Sequence, residues 1–399
     1  MSKFKTVILT SSLTLLVASI IFAYFYFKGK QDQVPLQEYD NTFITPDTVI
    51  SPPEEREEIN TEIYASRQNI LTKTVSEVSS AVVGINVTAI REYRDPFSMD
   101  PLFRYFFGDR VYQQQVKGLG SGTIISPDGY ILTNDHVAGN AVDIIVTMTD
   151  GTQYSAEIVG TDQSTDICLL KINADNLPYI KFGDSETILI GEWVIALGNP
   201  FGLFDINDKP TVTVGVISAA GMNLNQVNNR FYTNMIQTDA AINGGNSGGP
   251  LVNSVGELIA MNTLIYTTQG SSGNVGVGFA IPVNKVKRIV NILKKNGSVD
   301  RNYWTGLQIQ TIDQNIADYF NLRSTRGVII TNIQKNSPAE RAGLLVRDII
   351  LEAGRFRINN DVTLISVLHE YQTGETISLK IFRDNQILVK KLKLERIND

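Results

Sequence analysis

The sequence predicts a mainly β protein: an antiparallel barrel or sandwich followed by a second, smaller unit of strands and short helices. The first observation behind this is a series of short β-branched runs, AVVGINV, GSGTIIS, YILT, DIIVTM, EIVG, ICLLKI, WVIALG and TVGVIS. Each is bounded by turn residues such as Pro127-Asp128-Gly129 and Thr149-Asp150-Gly151, and many short strands at close spacing belong to closed or two-sheet antiparallel folds. The second is a helical segment, VNKVKRIVNILKK at 283–295, with apolar positions 283, 286, 290 and 293 on one face and the helix stop Asn296-Gly297 after it, which places a unit boundary there. The third is the return of short runs over 303–397: GVIITNI, the SPAERAGL turn into a helix, RDIILEAG, a helix around 361–370, and the strands TISLKIF and ILVKKLKL. No regular repeat is present.

The 399 residues leave room for two or three such units at about 100 to 200 residues each. A formal charge of -6, with Lys and Arg scattered rather than massed, offers no footprint for a phosphate backbone and argues against nucleic-acid binding. The single cysteine, Cys168, excludes an intrachain disulfide and a thiolate metal cluster, and it reads as a small buried hydrophobe. No metal and no cofactor are expected.

Residues 7–27, VILTSSLTLLVASIIFAYFYF, carry no charge over 21 positions, enough helix to cross a hydrocarbon core of about 30 Å. Residues 1–30 therefore read as a membrane anchor. The competing reading is a cleavable signal peptide cut near Val17-Ala18-Ser19, although apolar sequence continues beyond that point. Lys3 and Lys5 precede the span and Lys28 and Lys30 follow it, so charge does not orient it. Residues 31–59 are a polar, proline-bearing linker, and Ile63, Ile70, Leu71, Val75 and Val78 suit an amphipathic helix between Asn60 and Ser80. The expected limits are 60–297 for the first folded domain and 300–397 for the second.

Three segments carry candidate chemistry. His136 ends the strand YILT in Asn134-Asp135-His136-Val137; His369, the other histidine, lies in LISVLHEY and reads as a solvated helix position. In the run from Asp239 to Pro250, glycines crowd Ser247 on both sides. A serine nucleophile needs an exposed hydroxyl and a tight turn whose N–H groups converge on an oxyanion, and Gly245 and Ser247 would donate there; the bland alternative is an ordinary Gly-Asn-Ser turn. Asp166, thirty residues after His136 at the mouth of an apolar strand, is the carboxylate that would orient the imidazole, whereas Asp162 and Asp184 read as turn formers.

Taken together, GSGTIISPDGYILTNDHV, TDICLLKI, QTDAAINGGNSGGPLVN, GEWVIALGNPFG and GVGFAIP resemble the HtrA/Deg family of serine proteases from about Ser76 to the C-terminus. The resemblance implies a chymotrypsin-like double β-barrel, a His136-Asp166-Ser247 triad, an oxyanion hole at Gly245, Asn246 and Ser247, no metal or ATP, and a homotrimer. It makes the aromatic-bearing insert from Arg91 to Lys117 a regulatory loop. The second domain resembles an α+β PDZ domain, with Trp304, Thr305, Gly306 and Leu307 at the loop that takes a peptide C-terminus. One anchor, one protease and one PDZ domain imply an envelope endoprotease of protein quality control or stress response, cleaving unfolded or misfolded proteins; the alternative is a peptide-binding adaptor or chaperone with a latent protease domain.

Two departures from the family pattern stand out. Met222 follows Ser218-Ala219-Ala220-Gly221 where family members commonly carry an activation-relaying Arg, with Arg230 the candidate to take its place, and Asp135 stands where an Asn is usual. The residues expected to line the primary specificity pocket are Ile242, Thr263, Leu264 and Ile265. No acidic group stands among them, which favours small or medium apolar residues before the scissile bond.

Overall fold

The computed structural model describes residues 67–94, 111–199, 202, 204, 208–224, 226–265, 276–320, 322 and 324–396. The apolar segment at 7–27, the linker, and positions 95–110 of the insert lie outside these residues. Among the described residues no helix is long and apolar enough to cross a membrane.

The chain enters through helix α1 (Ile70–Val78), started by a capping box in which the Asn69 side chain accepts from Thr72 N–H while the Thr72 hydroxyl accepts from Asn69 N–H. The β-branched runs then form β1 (Val82–Arg94), β2 (Val111–Ile124), β3 (Tyr130–Thr133), β4 (Asp143–Thr147), β5 (Gln153–Asp162) and β6 (Ile167–Ile172). These close into a barrel in the order β1-β2-β3-β6-β5-β4. A second barrel, β10-β11-β12-β9-β8-β7, is built from β7 (Trp193–Gly198), β8 (Thr211–Met222), β9 (Met235–Thr238), β10 (Pro250–Asn253), β11 (Leu258–Ile265) and β12 (Gly278–Pro282). The expected double barrel is therefore present. β1 and β2 pair without interruption from Val82↔Thr123 to Arg94↔Val111, so the flanks of the aromatic insert are strand rather than loop.

One four-residue helical turn, α2 (Asp135–Ala138), leaves the first barrel at the end of β3. Helix α3 (Val283–Asn296) closes the domain and packs against β5 and β6 of one barrel and β11 and β12 of the other. It ends where the sequence indicates, at Gly297 with φ 74°, in the left-handed region that glycine adopts without strain.

The C-terminal domain is a sheet in the order β13-β14-β15-β17-β18, with β16 added to β15. Its strands are β13 (Leu307–Thr311), β14 (Val328–Ile333), β15 (Ile349–Ala353), β16 (Phe356–Arg357), β17 (Thr376–Arg383) and β18 (Gln386–Lys393), with helices α4 (Gln314–Tyr319), α5 (Pro338–Arg341) and α6 (Asp361–Leu368). β13 is an edge strand, left with an unpaired backbone on one side.

At the barrel cores Ile131, Leu132, Leu169, Leu170, Ile195 and Leu197 have no exposed surface. Cys168 is equally buried, as expected. Leu169, paired with Leu132 on β3 and Gly160 on β5, is fully buried, so its truncation removes a core side chain and leaves a cavity. Leu169→Ala should cost about 2–5 kcal/mol, checked by the shift of the urea unfolding midpoint.

Candidate active site

β3 delivers His136 into the turn of α2, and the tight loop before β6 delivers Asp166 beside it. Asp166 Oδ2 lies 2.8 Å and Oδ1 3.0 Å from His136 Nδ1, and Oδ1 also accepts from the His136 backbone N–H at 2.9 Å. Asp166 holds φ at +61°, a left-handed conformation that a non-glycine residue adopts only where its surroundings enforce it. Its side chain is wholly buried, while that of His136 is 33% exposed and opens into a cleft.

The second barrel completes the shell around the carboxylate. Thr263, on β11, donates its hydroxyl to Asp166 Oδ2 at 2.8 Å, and Tyr232 OH donates to the same oxygen at 3.2 Å. Asn134 Nδ2 donates to the Asp166 carbonyl and to the Thr263 hydroxyl. Arg230 Nε stands 3.0 Å from Asp166 Oδ1, a charge contact without hydrogen-bond alignment, and its Nη2 donates to Asp135 Oδ2 at 2.7 Å. Burial opposes the Asp166 charge, but hydrogen bonds and charge from His136 and a hydrogen bond from Thr263 prevail and hold the carboxyl below its usual range. The opposite balance pushes the Tyr232 phenol up, through burial and the Asp166 charge, so it stays a neutral donor.

Ser247 lies across the cleft, about 740 Å³ in volume and lined by His136, Gly244, Gly245, Ser247, Leu119 and Val137 among others. Its hydroxyl donates to the Thr263 carbonyl at 3.1 Å. The glycine-rich loop is pinned by Ser121, whose N–H donates to Ser247 O at 2.9 Å, whose hydroxyl donates to Gly245 O at 2.6 Å, and which accepts from Asn199 N–H at 2.7 Å. Gly245 needs its glycine: φ is +98°. Among the described residues the N–H groups of Gly245 and Ser247 donate no hydrogen bond, whereas that of Asn246 is taken by Asn243 O at 3.0 Å. Asn246 is therefore corrected as an oxyanion donor.

Of the residues expected at the specificity pocket, Thr263 has its hydroxyl committed to Asp166. Ile242 is buried in the second barrel. Leu264 and Ile265 continue β11 beside Thr263.

In the C-terminal domain, Trp304, Thr305, Gly306 and Leu307 line a cleft of about 370 Å³ together with Ile365 and Leu368 of α6. Gly306 holds φ +74°, and a Cβ there would meet Ser337 Cβ at 2.1 Å, so the loop can only be glycine. Trp304 N–H donates to Glu395 O, which fixes the loop on the end of the sheet.

The seam between the domains is where sequence reading fails. His369 is not a solvated helix position: its ring stacks on Phe231 at 3.8 Å, and its Nδ1 is buried without a hydrogen-bond partner among the described residues. Asp162 is not a turn former: Arg301 grips it with two bonds of 2.5 and 2.8 Å and donates from Nε to the His369 carbonyl. Thr233 donates to Glu370, which also pairs with buried Lys285 at 2.5 Å and with Arg288 at 2.9 Å.

Residues 120–261 match the trypsin-like peptidase domain, and residues 305–394 match the PDZ domain. A probable periplasmic serine endoprotease, DegP-like, of Marinomonas sp. (strain MWYL1) is 41% identical over 343 residues, covering 84% of this chain and 69% of that protein. The protein of the same description from Pseudomonas putida (strain GB-1) is 40% identical over 335 residues, covering 79% and 68%. Among solved structures, the HtrA-type protease AlgW with a decapeptide superimposes with a TM-score of 0.61 at 35% identity, covering 82% of this chain and 99% of that one. A serine endoprotease from Yersinia pestis gives 0.53 at 32% identity, covering 83% and 99%.

Burial pushes the His369 imidazole down to about 4 from 6.5, with the nearby Arg301 charge acting in the same direction. The unfolded chain takes up this proton first, so the stability His369 contributes is complete above about 6.5 and is lost as pH falls toward 4. Melting temperatures at pH 7.5 and 4.5 should show a smaller acid loss for His369→Phe, which keeps the stack, than for the wild-type protein.

Proposed function

The chain belongs to the HtrA/Deg family of serine proteases, and we propose that its serine endopeptidase activity runs on His136, Asp166 and Ser247. The observation that carries this reading is the His136 imidazole, fastened at Nδ1 to a buried carboxylate and open at its other face to the cleft that Ser247 lines. His136 takes the proton of Ser247 as the hydroxyl attacks the peptide carbonyl and returns it to the leaving amine, while Asp166 stabilises the imidazolium. The N–H groups of Gly245 and Ser247 hold the oxyanion. Ile242, Leu264 and Ile265 favour small or medium apolar residues before the scissile bond. An adaptor role without catalysis is not favoured, since the similar proteins carry the description probable periplasmic serine endoprotease.

In this reading the protease domain spans 60–297 and the PDZ domain 300–397. Residues 1–30 anchor the chain in the cytoplasmic membrane, the linker 31–59 holds the catalytic domain in the periplasm, and the active form is a homotrimer. The substrates are unfolded or misfolded envelope proteins. A peptide C-terminus adds as a strand along the free edge of β13, its carboxylate held by backbone N–H groups around Thr305 to Leu307. The Phe231–His369 stack supports regulation through this domain, because Phe231 sits between Arg230 and Tyr232, both of which reach Asp166.

Cleavage of casein by the full-length chain in detergent, with and without C-terminal peptides, tests the reading. Ser247→Ala should abolish cleavage outright, and residual cleavage in that variant would refute the assignment. Phe231→Ala should keep unstimulated cleavage but lose most of the peptide stimulation; full stimulation in this variant would mean that the stack carries no signal.

A further inference from the structure

Arg230 places a full positive charge against the carboxylate that holds His136. Its side chain is 11% exposed, so solvent screens this charge weakly. Two carboxylates share it: Asp166 Oδ1 at 3.0 Å and Asp135 Oδ2 at 2.7 Å. Asp135 is itself buried, and its other oxygen accepts from the Thr161 hydroxyl at 2.6 Å. The immediate neighbour of His136 in sequence is thus tied across the barrel junction to the loop between β8 and β9. We propose that Arg230, clamped by Asp135, is a positioning residue for the proteolytic reaction, fixing the Asp166 carboxylate on His136 Nδ1 and balancing the second negative charge beside the imidazole. The proposal rests on the assignment of His136, Asp166 and Ser247 above.

The charges that face the imidazole define what Arg230 does. Asp135 lies on its own turn and Asp166 on the loop before β6; Arg230 and the neutral Tyr232 come from the β8–β9 loop, and Lys117 lines the far side of the cleft from β2. With Arg230 present, the two carboxylates and one guanidinium leave a net charge of about one negative unit near the ring, as a lone catalytic aspartate would. Without it, the two buried carboxylates lose the cation they share, and the added negative charge near the ring favours the protonated, inactive imidazole. Without Asp135, the guanidinium falls wholly on Asp166 and disfavours that form. The two substitutions therefore push in opposite directions, which a purely structural role for the pair does not predict. A lysine at 230 keeps the charge but cannot bridge the two carboxylates with a planar fork.

The test is the pH profile of labelling of Ser247 in the full-length chain by a serine-directed fluorophosphonate, which needs no identified substrate or peptide. Arg230→Gln should lower the plateau labelling rate roughly ten- to a hundredfold, the scale of an ångström misplacement, and move the acid limb up by roughly one pH unit. Asp135→Asn should move the acid limb down, by on the order of half a unit. Arg230→Lys should keep the limb near the wild-type position and recover part of the rate. Acid limbs that stay in place in both charge-removing variants, or that move the same way, overturn the proposal. If Arg230→Gln does not fold, as judged by circular dichroism, the direction of the Asp135→Asn shift decides alone. Labelling that persists in Ser247→Ala would sink the triad assignment and the proposal with it, and that control separates the two failures.

Discussion

The Asp166 carboxylate has to be ionised to hold an imidazole, yet none of its side-chain surface meets water. Removing such a charge from water costs several kcal/mol, and only donors fixed in place offset it. The His136 N–H groups come from the first barrel; the Thr263 hydroxyl, the Tyr232 phenol and the Arg230 guanidinium come from the second. Neither barrel alone satisfies the carboxylate. The site is therefore conditional on the docking of the two barrels, and α3, packed across both, helps to fix that docking. The left-handed backbone at Asp166 is sustained by the same surroundings, since its carbonyl is held by Asn134.

The segment Arg230-Phe231-Tyr232-Thr233 extends this dependence to the C-terminal domain. Arg230 and Tyr232 point to Asp166, while Phe231 and Thr233 contact His369 and Glu370. That alternation is the period of two of an extended chain, and it makes one short segment a two-faced partition between the Asp166 carboxylate and the PDZ domain. Glu370 is tolerated in its buried position because Lys285, Arg288 and Thr233 neutralise and bond it. Moving Glu370 away would leave the buried Lys285 charge without its counter-ion, held only by Thr233.

Much of the architecture was legible in the sequence because the signals were local. Short β-branched runs between turn residues mark strands wherever they fold, and Asn296-Gly297 stops a helix by its own backbone preference. His136 and Ser247 stood out through scarcity and glycine density. The shell around Asp166 was not legible: Thr263, Tyr232 and Arg230 lie 64 to 97 positions away, and nothing local marks a threonine in a strand as a carboxylate donor. Thr263 was accordingly assigned to the specificity pocket by its neighbours in sequence. Asn246 was included in the oxyanion loop by adjacency, although a turn gives alternate N–H groups to its own hydrogen bonds. His369 and Asp162 were misread for a common reason: both are polar residues at the ends of elements, where exposure is the default, and only the meeting of two domains buries them.

Thr263 shows how closely restraint and reactivity are coupled here. Its hydroxyl holds Asp166, while its carbonyl, in the same residue, accepts the hydroxyl of Ser247. In this arrangement the serine proton points toward β11 rather than toward His136. In the proposed mechanism Ser247 gives up the Thr263 carbonyl for the imidazole. The segment Arg230-Phe231-Tyr232 thus joins the PDZ-domain contact at His369 to the same carboxylate that Thr263 holds, and Thr263 in turn holds Ser247.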